Sequence, residues 1–192
     1  VVKWLAEKGI KDITIAESSG GPYNVEISFI GMEPAIKKAV SPDKINKVLV
    51  MATPVTLKLD KYQNLQHKLE NQAEFLSVEC PGLAKRIEAV DFEGEDLKQM
   101  LREFLEPYKG KVDNVVLGCT HYPFVKKQIS EILGNIPLID GGKGTALQLQ
   151  RVLREKNLLN DQTEAGQIVF ESSKDTEEEL AIYKKLYDMY EV

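Results

Sequence analysis

The sequence has few of the residues that build covalent or metal-bound scaffolds. It contains two cysteines and two histidines among 192 residues. Two cysteines are too few for a disulfide framework, and His67 and His121 show no metal-ligand spacing. We therefore expect no metal site, and we expect reduced thiols in a cytoplasmic protein.

Long apolar runs and an excess of positive charge are also missing. No apolar run approaches the length that crosses a membrane, and no signal-peptide pattern opens the chain. The net charge of -5 gives a nucleic-acid partner no electrostatic support. A hydrophobic content of 43% and a charged content of 29% are ordinary for a soluble globular protein. We therefore expect neither a membrane nor a nucleic acid as partner.

Apolar runs and amphipathic segments alternate along the chain. Strands are predicted at 11–16, 25–30, 47–52, 74–78, 113–118, 136–139 and 167–171. Helices are predicted at 2–8, 33–40, 82–89, 94–106, 123–133 and 143–156, after Thr53-Pro54, and from Asp175 or Thr176. Repeated strand–helix–strand order predicts an α/β fold with a parallel sheet and helices on both faces.

The most informative segment is Gly118-Cys119-Thr120-His121-Tyr122-Pro123, which follows the apolar run Val115–Leu117. Gly118 has no Cβ, so the backbone there can be approached closely. Cys119 and His121 then emerge at the carboxyl end of a predicted strand, where ligands bind in open α/β sheets. A thiol two residues from an imidazole is a compact set for proton transfer. A buried free cysteine beside a capping threonine is the alternative interpretation.

The segment Gly118–Pro123 resembles the second active-site motif of the glutamate racemases, and more broadly of the cofactor-independent aspartate/glutamate racemase family. Four further segments are similar to family segments in the same order, so that the resemblance spans roughly residues 25–155. They are Ile30–Ala35, Val48–Thr56, Val78–Leu83 with Glu88, and Pro137–Gly142. The resemblance implies parallel-sheet sandwich domains of the racemase type, no cofactor, and glutamate as the small-molecule substrate.

The implied reaction interconverts L- and D-glutamate and supplies D-glutamate for peptidoglycan. It removes an α-proton and returns one on the opposite face, which requires two opposed acid/base groups. The resemblance implies that Cys119 is the base for one enantiomer and that His121 assists it. It also implies that Thr120 binds substrate, with Glu88 beside it as a group for orientation or charge support. We read Cys80 as structural, and we expect the racemase to form a homodimer.

The first part of the chain departs from the family pattern. The first catalytic cysteine of the family follows a strand in a Cys-Asn-Thr motif, whereas here the strand ends Ile15-Ala16-Glu17-Ser18-Ser19. We therefore expect a first domain, formed by residues 1–41 and 136–192, that is incomplete or altered beside a second domain at 42–135. We also expect this chain to racemise glutamate poorly, and to associate through Val1–Lys8 and Ile13–Ala16.

Two other functions remain open on the sequence. A non-catalytic racemase-like binding or regulatory module would keep the sheet and lose one base. A nucleotide-binding protein would hold phosphate at Gly141-Gly142-Lys143-Gly144-Thr145. In that segment Lys143 precedes Gly144, so the order and spacing of the Walker pattern are not met.

Overall fold

The computed structural model describes residues 12–15, 28–31, 34–159, 164, 166–172, 174 and 176–189. The chain divides into two compact units, Val1–Met32 with Gly142–Asp188 and Glu33–Gly141 with Met189–Val192. The domain limits proposed at 41/42 and 135/136 stay a prediction. The helix predicted at 2–8 and the position of Glu17 lie outside the described residues.

Short strands and helices alternate along the described residues. In chain order they are β1 (Asp12–Ile15), β2 (Ser28–Gly31), α1 (Ile36–Ala39), β3 (Asn46–Ala52), α2 (Pro54–Lys58), α3 (Asp60–Leu69), β4 (Ala73–Glu79), α4 (Leu83–Ile87), α5 (Glu95–Leu105), β5 (Asn114–Leu117), α6 (Lys126–Leu133), β6 (Leu138–Ile139), α7 (Gly142–Glu155) and α8 (Glu177–Met189). In the ranges that the structure describes, no helix is long and apolar enough to cross a membrane.

The unit that contains β1 and β2 has a two-stranded parallel sheet, in which Asp12 lies opposite Ser28. The prediction of a strand at 167–171 is wrong, because residues 166–172 form no strand. Ile168 and Val169 are 58% and 71% exposed, so both faces of this apolar segment meet solvent. A strand pattern produces a strand only where a sheet edge pairs with its backbone.

The other unit is built on a four-stranded parallel sheet with the order β4-β3-β5-β6. The central strand β3 is buried on both faces from Val48 to Ala52, which explains its continuous apolar run. Met51 of β3 lies opposite Val78 of β4 and Leu117 of β5. This register brings the carboxyl ends of the strands to one edge of the sheet.

Helices cover this sheet with apolar faces of helical period. On α5 the buried residues Leu97, Leu101 and Leu105 recur every four positions. The helix predicted at 123–133 begins as a 3-10 turn at Tyr122–Val125 before it continues as α6. The turn of chain after Cys119 is therefore tighter than an α-helix, and it sets the direction in which the residues at 119–121 emerge.

Candidate active site

Polar residues follow the strands of the four-stranded sheet at its carboxyl edge. Thr53 follows β3, Cys80 follows β4, Cys119 lies two residues beyond β5, and Asp140 follows β6. Thr53 accepts a hydrogen bond from the Thr56 N–H at 3.2 Å and caps α2, as its position before a proline predicts. The carboxyl edge of a parallel sheet is the position at which α/β proteins bind ligands.

Gly118 directly follows β5 and packs closely against the backbone of β3. Its N–H donates to the Met51 carbonyl at 2.7 Å. A Cβ at this position would lie 2.7 Å from the same oxygen and 3.0 Å from the Cβ of Ala52. The backbone contact therefore requires glycine, and it fixes the point from which the next three residues leave the sheet.

Cys119, Thr120 and His121 form a tight turn in which the three side chains meet. The Tyr122 N–H donates to the Cys119 carbonyl at 3.2 Å, which closes the turn. Nδ1 of His121 lies 3.7 Å from the Cys119 Sγ and 3.5 Å from the Thr120 Oγ1. All three residues are half-buried. The thiol is thus in direct contact with an imidazole and belongs to a partly exposed residue.

Glu88 contacts the other nitrogen of the same imidazole. It ends α4, and its Oε1 lies 2.9 Å from the His121 Nε2 across 33 positions of sequence. The hydrogen bond to Cys119 and then the one to Glu88 raise the pKa of His121 from 6.5 to about 8, against the opposing effect of burial. When the imidazole is protonated, both ring nitrogens donate, Nδ1–H towards the Cys119 sulfur and Nε2–H to the Glu88 carboxylate.

Cys80 has a different environment from Cys119. It is 1% exposed, and burial raises the pKa of its thiol to about 12. Its carbonyl accepts a hydrogen bond from the Tyr122 hydroxyl at 3.5 Å, and Tyr122 is itself fully buried. The Cys80 thiol therefore stays protonated at neutral pH and contributes to packing.

Lys126 is a residue near the site that the sequence analysis did not single out. Its Nζ lies 2.7 Å from the Asp140 Oδ2, and it joins the first turn of α6 to the residue that follows β6. A cation is unfavourable at a helix N-terminus. The Asp140 carboxylate, 14 positions further along the chain, offsets this effect.

The described residues bring Cys119, Thr120, His121 and Glu88 together, whereas the Cys80 thiol is buried. The four form a chain of hydrogen-bonding groups from a thiol through an imidazole to a carboxylate. Such a chain can accept or deliver one proton at Sγ. Within the described ranges, no three His, Cys, Asp or Glu side chains lie close enough together to hold a metal ion.

Comparison with known proteins gives consistent matches over most of the chain. The Asp/Glu/Hydantoin racemase family profile matches residues 24–149. A glutamate racemase of Clostridium perfringens is 39% identical over 198 residues, which cover 98% of this chain and 76% of that protein.

Two solved structures show the same fold. Glutamate racemase isoform RacE1 of Bacillus anthracis superposes with a TM-score of 0.67 at 25% identity, over 83% of this chain and 64% of that one. Glutamate racemase of Francisella tularensis, solved in complex with D-glutamate, gives a TM-score of 0.65 at 29% identity, over 84% and 64%. This chain thus spans slightly less than two thirds of either structure.

Proposed function

Because this chain belongs to the Asp/Glu/hydantoin racemase family, we propose that it acts on the α-carbon of glutamate and that Cys119 is the group that exchanges the proton. Its homologues are glutamate racemases, which are isomerases. Its mixed α/β fold with parallel sheets is the fold of those enzymes. The observation that carries the proposal is the contact of the Cys119 thiol with the doubly hydrogen-bonded imidazole of His121.

In the proposed step, the Cys119 thiolate takes the α-hydrogen of one enantiomer as a proton. The electron pair of the broken C–H bond stays on the α-carbon, and the planar carbanion is then protonated on the opposite face by a second acid. In the reverse direction the Cys119 thiol gives its proton to the carbanion. The His121 imidazolium, 3.7 Å from Sγ, stabilises the thiolate form.

Thr120 and Glu88 have different parts in this proposal. Thr120 binds a substrate carboxylate through its hydroxyl and backbone N–H, because it is half-buried in the turn beside the reacting thiol. Glu88 orients His121 through the 2.9 Å contact with Nε2, which also favours the charged imidazole. The carboxylate therefore acts on the substrate through the imidazole.

The opposing cysteine is the part of the family pattern that this sequence does not show. The chain has two cysteines in total, and Cys80 is buried and protonated. Glu17 stands where the family places its first catalytic cysteine. We therefore expect slow racemisation by this polypeptide, with exchange of the α-proton of one enantiomer as the partial reaction that Cys119 still supports.

The setting of the reaction follows from its product. D-glutamate is a precursor of peptidoglycan, so the proposed site of action is the cytoplasm. The proposed assembly is a homodimer, and we propose no role for nucleic acid.

Solvent exchange tests the proposal. Each glutamate enantiomer is incubated in D2O with the wild-type chain, Cys119→Ser and the matched control Cys80→Ala, and the α-proton is followed by NMR. The expected result is exchange of one enantiomer faster than its conversion to the other, lost in Cys119→Ser and retained in Cys80→Ala. Equal turnover in both directions would show that Glu17 or another group replaces the missing cysteine. Binding of glutamate without any exchange would favour the second candidate, a racemase-like binding module.

A further inference from the structure

The loop that follows Glu88 is built around the guanidinium of Arg86. Nε and Nη2 of Arg86 donate to the two carboxylate oxygens of Asp96 at 2.6 and 2.8 Å. Nη1 donates to the Asp91 carbonyl at 2.8 Å, and Nη2 also reaches the Asp91 carboxylate at 3.2 Å. The Arg86 side chain is only 15% exposed, although both carboxylates are at the surface. A bidentate pair of this kind fixes orientation as well as distance.

The loop closes tightly on this guanidinium. The other oxygen of the Asp91 carboxylate accepts the N–H groups of Glu93 and Gly94 at 3.3 and 3.2 Å. A Cβ on Gly94 would lie 2.5 Å from the Arg86 Nη2. The loop backbone at Gly94 therefore passes close to the Arg86 guanidinium.

Two further features hold the middle of the loop. Val90 is buried and has a φ of 55°, a conformation that a β-branched residue adopts only when its surroundings impose it. The buried amide of Gln128, on α6, donates to the Phe92 carbonyl at 3.0 Å. The Arg86 guanidinium thus holds the loop at the Asp91 carbonyl, and the Gln128 amide holds it at the Phe92 carbonyl.

We propose that Arg86 is a positioning residue, which holds the backbone at Glu88 so that the Glu88 carboxylate stays on the Nε2 of His121. The Glu88 side chain is 55% exposed, and a free surface carboxylate samples many rotamers. The backbone N–H of Glu88 donates to the carbonyls of Ala84 and Arg86. The Arg86 guanidinium in turn binds Asp91 and Asp96, which follow Glu88 in the chain. The catalytic meaning of this contact rests on the proposed function of His121.

The direction in which the pKa of His121 changes distinguishes the positioning role of Arg86 from a direct electrostatic effect of the Arg86 charge on His121. Removing the Arg86 cation leaves two carboxylates uncompensated, and their field alone would raise the pKa of His121. Loss of the Glu88 contact would lower it. Among the described residues, the Cys119 thiol and the Thr120 hydroxyl also contact His121.

The test is an NMR titration of the imidazole C–H signals in Arg86→Met. The chain has only two histidines, so His67, which is exposed and paired with Glu70, serves as the internal reference. We expect the pKa of His121 to fall by up to about half a unit, the size of the effect of an exposed ion pair, and by less than in Glu88→Gln, because the uncompensated carboxylates offset part of the fall. The double variant should show no fall beyond that of Glu88→Gln, since Arg86 acts through Glu88. A rise, no change, or additive shifts would overturn the proposal.

Two further variants complete the design. Arg86→Lys keeps the charge but cannot make the bidentate contact. It should lower the pKa of His121 less than Arg86→Met does, and it provides a second readout if Arg86→Met folds poorly. Arg102→Met removes a surface ion pair with Glu95 on α5 and should leave the pKa unchanged. These readouts do not depend on turnover. A chain that shows the shifts but exchanges no α-proton would refute the proposed function alone.

Discussion

Iodoacetamide should modify Cys119 and leave Cys80 intact while the protein is folded. Burial raises the pKa of Cys80 from 9.0 to about 12, which lowers its thiolate fraction about 1000-fold. A more basic thiolate is a better nucleophile, and with a Brønsted coefficient of about 0.45 the net slowing is about 50-fold. Because Cys80 is also 1% exposed, restricted access slows the reaction further.

The measurement is a time course at limiting reagent, followed by tryptic peptide mapping. Lys85 and Lys111 lie between the two cysteines, which therefore fall in different peptides. Repeating the reaction in denaturant provides the control, since both thiols should then react at similar rates. Preferential labelling of Cys80 in the folded protein would refute the assignment of Cys119 as the reactive thiol and with it the proposed chemistry.

Three more predictions follow from single features. Gly118→Ala should lower the free energy of unfolding by about 1–3 kcal/mol, because its Cβ would lie 2.7 Å from the Met51 carbonyl oxygen; urea unfolding measures this, and an unchanged midpoint would contradict it. The pKa of His121 is raised to about 8, so its charge contributes at most about 2 kcal/mol to the free energy of unfolding, fully below pH 6.5 and no longer once the pH has risen through 8. In urea unfolding, the pH-dependent difference in free energy of unfolding between wild type and His121→Asn should disappear over that range. Association through Val1–Lys8 and Ile13–Ala16 stays a prediction, and light scattering that shows a monomer at every concentration would exclude it.

The sheet could be predicted from the sequence because its signal is local. The run Lys47–Ala52 gives β3, and the run ending at Leu117 gives β5, each from a continuous apolar stretch with a clear end. The apolar pattern at 167–171 has the same local appearance, yet it forms no strand. The difference between the two outcomes is a pairing partner, which no window of sequence contains.

Some residues of the candidate site could be predicted from the sequence and others could not, again because only some of the signals are local. Cys119, Thr120 and His121 are consecutive, so their proximity follows from the turn itself. Glu88 lies 33 positions from His121, and only a family resemblance placed it near the imidazole. Arg86 carried no such signal, since a charged residue on a short helix is usually solvated. It is enclosed only because the chain returns over it.

The proposed site lies within one unit of the protein. Residues Cys119, His121 and Glu88 all belong to the unit Glu33–Gly141, so the proton transfer that we propose at Sγ draws on side chains of that unit. Its second cysteine, Cys80, is buried with a raised pKa and cannot serve as an opposed base at neutral pH. We therefore expect proton exchange and racemisation to be separable activities in this chain. The first depends on groups that the structure brings together, whereas the second requires an acid from outside them.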